Sequence, residues 1–287
     1  MKTITSDVIM VYDNTHEILV NSSSETVSSP GLVMSRREGH LVTSYTELLT
    51  KVANISYHNP RFQLLFRGQS KDYQMSDKAT ASNLLPSILR GFTPNRKILK
   101  AKFDERFETL TKAENLLKSY IYNDDVWGSQ IIRWAILQHY EVCPTPLLDL
   151  TSSVQSALSF AVGNRDNGWL YVLAFPHLTG GVSVSIETQT QIINLTQVCP
   201  PEALRPHFQI GYLASEYPAI DTKENSNRDL GFIGNNFSCR LLTKFKLENC
   251  LAWKDEGFVP IPEKVLFPNK IDEWYQITER IRNEVNA

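Results

Sequence analysis

The sequence predicts an α+β fold, with a mixed or antiparallel split sheet and a helical N-terminal half, and three observations carry that prediction. Residues 61–67 alternate with period two: Phe62, Leu64 and Phe66 share one face, and Gln63, Leu65 and Arg67 the other. Helical periodicity dominates from residue 96 to residue 163. Strand-like runs dominate from 169 to 247, so helices and strands segregate along the chain and do not alternate as βαβ units.

Taken in order, residues 8–12 and 17–20 are two short apolar runs around Asp13-Asn14-Thr15-His16, which predicts a hairpin. Residues 21–30, rich in Ser and Thr, read as a loop, so residues 1–40 are set apart as an appendage and 41–287 as the main domain. Ser44 is placed to cap a helix containing Leu48, Leu49 and Val52, with Glu47 completing a capping box. The strand through Arg67 ends at Gly68. Leu84–Arg90 is a short apolar anchor. A long helix is expected from about Arg96 to Tyr122, and a second, apolar on most sides and therefore buried, from Ile131 to His139. Asp149–Ser153 reads as a polar turn feeding a helix capped by Ser152 or Ser153, with Val154, Ala157, Leu158 and Ala161 inward and Gly163 as its stop. Strands follow at 169–175, 182–186, 208–213 and 241–247, with a final helix near 271–285.

Composition bounds the function. The chain has 287 residues, 42% hydrophobic content and a formal net charge of -2, which fits a globular protein and argues against coating nucleic acid by bulk attraction. No apolar run reaches the roughly 18 residues a membrane span needs, and the N-terminus has no secretory pattern. Its 4 cysteines lack the close pairs that bind zinc and suit a reducing compartment, so a cytoplasmic protein without membrane or metal partners is expected. Walker, dinucleotide-fingerprint, zincin and nucleophile-elbow motifs are absent. Arg90, Arg96, Lys97, Lys100 and Lys102 form a basic run, normally a solvated face and the best available candidate for touching nucleic acid.

Two constellations carry chemistry. Arg67, followed by Gly68 and Gln69, sets a permanent cation at a strand end, where its fork can meet phosphate or carboxylate. The alternative is an internal ion pair, with Asp149 as the partner, and both readings stay open. The second is Gln138-His139-Tyr140 with Asp149, Thr151, Ser152 and Ser153. One helix cap needs one hydroxyl, not three, and a helix N-terminus seats anions. His139 reads first as a structural residue, with holding Asp149 or a ligand hydroxyl as its other role.

These residues, with Leu84–Arg90, Pro144-Thr145, Leu147-Leu148-Asp149, Ala157-Leu158 and Phe160-Ala161, resemble the FRG domain, named for its Phe-Arg-Gly motif. Arg205, Gln209 and Gly211, and then Leu266-Phe267-Pro268, resemble later parts of that family, extending the likeness from Ser44 to Tyr275. Pro146, Leu150 and Glu141 depart from the arginine, tryptophan and glycine usual there. The resemblance implies a prokaryotic or phage-associated protein with a role in defence or toxicity.

A more distant likeness, to the arginine-serine-glutamate ADP-ribosyltransferases, implies a transferase or NAD glycohydrolase acting on NAD and a protein or nucleic-acid acceptor. Arg67, Asp149, Gln209 and Glu216 would then be catalytic, while Arg67, Gly68, Gln69, His139, Tyr140, Thr151, Ser152 and Ser153 would bind the nucleotide. That chemistry passes through a cationic sugar and needs an acid near it. Gln209, on the expected strand 208–212, cannot supply charge, which leaves Glu216 and then Glu187 as candidates. The alternative is a non-catalytic module that binds nucleotide or nucleic acid.

Overall fold

The computed structural model describes residues 10–13, 16–19, 30–74, 81–91, 96–121, 128–217 and 236–287. The chain divides into two compact units, each assembled from three stretches: 1–84, 150–178 and 236–263 in the first, and 85–149, 179–235 and 264–287 in the second. Both contain helices and strands, and the fold class is α+β.

In the first unit the expected hairpin is present as β1 (Met10–Asp13) and β2 (His16–Leu19), paired antiparallel. Pro30, expected to end a loop, instead opens α1 (Pro30–Arg36); the rest of that loop lies outside the described residues. β3 (His40–Val42) leads into α2 (Tyr45–His58), whose N-cap is Ser44, with its hydroxyl accepting the Glu47 amide. The carboxylate that completes this cap comes from far along the chain. Glu256 accepts hydrogen bonds from the Ser44 hydroxyl at 2.7 Å and the Thr46 amide at 2.9 Å.

β4 (Phe62–Gln69) pairs antiparallel along its whole length with β6 (Gly168–Pro176). β6 pairs antiparallel with β10 (Leu241–Leu247), which runs parallel to β3. On the other side of β4, Phe66 faces Thr151, the last residue of β5 (Leu148–Thr151). α5 (Val154–Val162) then packs on this sheet; it is capped by Ser153 and stopped by Gly163 at φ 51, as its sequence predicts. The core of the unit is the β6 run from Leu170 to Phe175, buried on both faces.

In the second unit α3 (Arg96–Tyr120) and α4 (Gln130–His139) stand close to their predicted limits. α4 is buried from Ile131 onward, and Arg133 pays for its burial by a pair with Glu114 at 2.7 Å. β7 (Val182–Ser185), β8 (Thr190–Asn194) and β9 (Gly211–Glu216) form an antiparallel ribbon ordered β9-β8-β7. Two short helices, α6 (Leu195–Val198) and α7 (Leu204–Gln209), connect β8 to β9. α8 (Glu263–Leu266), at the end of the first unit and the start of the second, leads to α9 (Glu273–Asn286), which is capped by Asp272.

The predicted strand at 208–213 is therefore corrected: Phe208 and Gln209 end α7, Ile210 turns at φ 48, and the strand begins at Gly211. Pro206 explains the difference. In the first turn of a helix its missing N–H costs nothing and its fixed φ favours the turn.

Candidate functional site

In the first unit the candidate residues surround β4, where Arg67 faces Tyr171 and Gln69 faces Trp169 on β6. Alternation along the strand sends Arg67 and Gln69 to one face and Phe66 and Gly68 to the other. The Gly68 face belongs to α5. A Cβ at Gly68 would lie 1.7 Å from the Ala157 carbonyl oxygen and 2.9 Å from the Ala161 amide nitrogen. Glycine is needed here because helix backbone touches strand backbone, so the expectation that Gly68 opens the strand to a ligand gives way to a packing role.

Thr151, opposite Phe66, lies on this same α5 face. Its hydroxyl accepts the Ser153 amide at 3.0 Å, and the Ser153 hydroxyl accepts the Ser156 amide at 3.1 Å. Two of the three hydroxyls thus serve the start of α5, and Ser152 is half-buried beside them. Arg67 projects from the opposite face of the sheet. The structure therefore does not bring the guanidinium and the Thr151 hydroxyl together.

On the Arg67 face the neighbours are residues that sequence reasoning missed. The Tyr171 hydroxyl donates to Asp72 Oδ1 at 2.8 Å, and Lys244 Nζ donates to Asp72 Oδ2 at 2.6 Å, to Ser82 Oγ at 2.8 Å and to the Ser35 carbonyl at 3.2 Å. Three donors meet three acceptors, which is how an ammonium only 2% exposed remains tolerable. Burial, reinforced by Asp72, raises the pKa of the Tyr171 hydroxyl, while the charge of Arg67 opposes that rise. The one available signal was Lys244 itself, a lysine inside the apolar strand Leu241–Leu247 on the same face as Tyr171.

The second unit gathers the other constellation. Gln138 Nε2 donates to Asp149 Oδ2 at 2.7 Å, and its Oε1 accepts the hydroxyls of Thr145 at 2.6 Å and Ser87 at 2.7 Å. Those partners fix the amide orientation. His139 Nδ1 stands 3.6 Å from Asp149 Oδ1, a loose contact that places the histidine where it can hold the carboxylate. Burial lowers the pKa of His139, with Asp149 opposing and the charge of Arg205 adding to the effect, which favours the neutral ring. Its Nε2 is buried without a partner of normal hydrogen-bond geometry among the described residues, and the Arg205 backbone contributes only the weakest of these influences. Gly211 lets β9 approach this ring, since a Cβ there would sit 3.0 Å from His139 Cε1. Asp149 keeps about a third of its side chain exposed (35%).

Tyr140 and Gln209, both expected at a ligand, serve the fold. The Tyr140 hydroxyl donates to Asp272 Oδ2 at 2.8 Å, and the same oxygen accepts the Arg205 amide at 3.0 Å. Gln209 Nε2 donates to the Leu266 carbonyl at 2.7 Å, tying α7 to α8. Glu141, where the family resemblance expects glycine, adopts φ 56 and pairs its carboxylate with Arg205 at 2.8 Å. A position that favours glycine has taken a residue able to recover part of the strain by an ion pair. Glu216 ends β9, half-buried, opposite Thr190, and Glu187 is exposed in the turn between β7 and β8. Arg90 Nε donates to the Leu85 carbonyl at 2.8 Å and Lys102 is exposed; the side chains of Arg96, Lys97 and Lys100 lie outside the described residues.

Among the described residues no group of three or more His, Cys, Asp or Glu side chains could hold a metal, and no helix is long and apolar enough to cross a membrane. The four cysteines are buried and form no disulfide; burial raises the thiol pKa of Cys143, Cys199 and Cys250, which leaves those three poor nucleophiles.

The FRG domain model matches residues 63–168 of the chain. The match holds Arg67, His139, Asp149 and Ser153, and excludes Gln209 and Glu216. No curated protein and no solved structure matches the chain.

Proposed function

We propose that this FRG-domain chain binds a phosphorylated, nucleotide-type ligand through Arg67, with NAD as that ligand and ADP-ribosyl transfer or NAD hydrolysis as its chemistry. The observation carrying this reading is the placement of Arg67 and Gln69, both half-buried, side by side on the face of β4 turned away from α5. A guanidinium fork offers two parallel hydrogen bonds to a phosphate, and the Gln69 amide adds a donor and an acceptor for an adjoining sugar or phosphate.

Cleavage of a nicotinamide-ribose bond builds positive charge on the sugar, which an oriented carboxylate stabilises. Within the second unit Asp149 is the better organised carboxylate, because Gln138 and His139 address its two oxygens while part of the side chain stays open to solvent. Glu216 is the second candidate, now on a strand where Gln209 is not. Incubation of the protein with NAD, alone and with lysate protein or nucleic acid as acceptor, tests the chemistry. Nicotinamide release that Arg67→Ala abolishes is expected; no release above that variant under any of these conditions ends the enzymatic reading.

The non-catalytic module is the second reading, and particular contacts favour it: the Gln209 amide is bonded to the Leu266 carbonyl, and the Thr151 and Ser153 hydroxyls accept the amides that start α5. A thermal shift with nucleotides that Arg67→Ala removes, in the absence of turnover, would select it.

A further inference from the structure

β7 is the terminal strand of the β9-β8-β7 ribbon, and its sequence is unusual for an exposed edge. Native sheets protect such edges with charge, proline or bulges. From Val182 to Ile186 the chain reads Val-Ser-Val-Ser-Ile, with no charge and no proline. Val184 is 44% and Ile186 77% exposed.

The register fixes which backbone groups face outward. The Gly181 carbonyl accepts the Asn194 amide at 2.7 Å, and Val182 lies opposite Ile193, so Gly181 and Asn194 are a hydrogen-bonded pair. Pairs alternate along an antiparallel ladder. Ser183 and Ser185 therefore bond to β8, while Val182 and Val184 turn their N–H and C=O groups away from it. The serine side chains are occupied locally, Ser183 Oγ by the Thr179 amide at 3.1 Å and Ser185 Oγ by the Thr188 amide at 3.2 Å.

We propose that β7 is an interaction edge for a second copy of this chain, pairing antiparallel across a two-fold axis at Val184. The segment is palindromic in chemistry about that residue. Two-fold pairing sets Val184 against Val184, Ser183 against Ser185, and Val182 against Ile186. Apolar side chains meet apolar ones on one face and hydroxyls meet hydroxyls on the other. The outward groups at Val184 meet their own equivalents, as an isologous contact requires. Charge is compatible as well, because Glu187 would lie opposite Gly181 and not opposite a second carboxylate. A heterologous partner strand would gain the backbone bonds but has no reason to match this symmetry.

Sedimentation of the full chain over a range of concentrations tests the proposal together with two variants. The wild type is expected to pass from one to two chain masses as concentration rises. Val184→Pro, which deletes an outward N–H and leaves the β8 ladder intact, should remain monomeric with an unchanged melting profile. Val184→Cys should give a covalent dimer on oxidation, since the native cysteines are all buried. A wild type that stays monomeric throughout its soluble range, or a Val184→Cys chain that is dimeric yet does not cross-link, would overturn the edge pairing. Should Val184→Pro fail to fold, the cross-linking result decides.

Discussion

The polar network around Lys244 and the one around His139 solve the same problem in opposite ways. Around Lys244, a full charge is buried and every donor is spent on Asp72, Ser82 and the Ser35 carbonyl. Around His139, burial favours the neutral imidazole, its contact with Asp149 is loose, and the carboxylate is left half-buried. Closed networks of the first kind hold a fold, because loss of any member strands a charge. Open ones of the second kind have capacity left for something else. Arg67 stands beside the closed network, and the proposed ligand contact rests on its place on the face of β4 turned away from α5.

Removing one member of the closed network should therefore have the largest effect. Lys244→Met is expected to destabilise the protein by about 3–5 kcal/mol in chemical denaturation, because it leaves Asp72 buried without its cation. A loss below 1 kcal/mol would mean that water reaches this network.

The two glycines give the next contrast. Gly68→Ala drives a methyl into the Ala157 carbonyl and should cost roughly 3 kcal/mol, since neither the strand nor α5 can yield. Gly211→Ala meets His139 and Leu195 side-chain atoms at 3.0 Å, which can shift, so about 1 kcal/mol is expected. Equal losses at both positions would show that α5 is not seated on β4 as described.

The open network has a pH signature. Burial places the His139 pKa below its ordinary value, so the unfolded chain takes up this proton first as pH falls. Its contribution is complete above about pH 6.5 and is lost progressively below that value. Urea melts of wild type and His139→Gln between pH 7.5 and 5 should diverge in slope, with the variant less sensitive to acid. Parallel curves would mean that the imidazole takes up its proton alike in the native and the unfolded chain. The smallest effect is expected from Glu141→Gly, where relief of a positive φ offsets loss of the pair between the exposed Glu141 carboxylate and the buried Arg205 guanidinium, which keeps its stacking on Phe267. Stability should change by less than about 0.5 kcal/mol.

Much of this was legible in the sequence for physical reasons that can be named. The 3.6-residue pattern placed α3, α4 and α5, and the cap at Ser44 and the stop at Gly163 were readable because single residues make them. β10 matched its expected limits, Leu241–Leu247. The polar turn at Asp149–Ser153 is half strand, because Leu148–Thr151 is short and its apolar residues do not alternate over enough length to be seen. Strand β8, Thr190–Asn194, carries Thr, Gln and Asn and looks polar, yet it is buried. Of the candidate site, the Gln138, His139 and Asp149 association could be guessed from the sequence. The allocation of Arg67 and Thr151 to opposite faces could not, because only the register of β4 against β5 and β6 determines it.

The proposed ligand contact is tested most directly by thermal unfolding of wild type and Arg67→Ala, each with and without saturating NAD or ADP. The expected result is a folded variant with no ligand response, beside a wild type stabilised by about 2.7 kcal/mol at 100 times the dissociation constant. Equal stabilisation of both proteins, or no stabilisation of either, would contradict it.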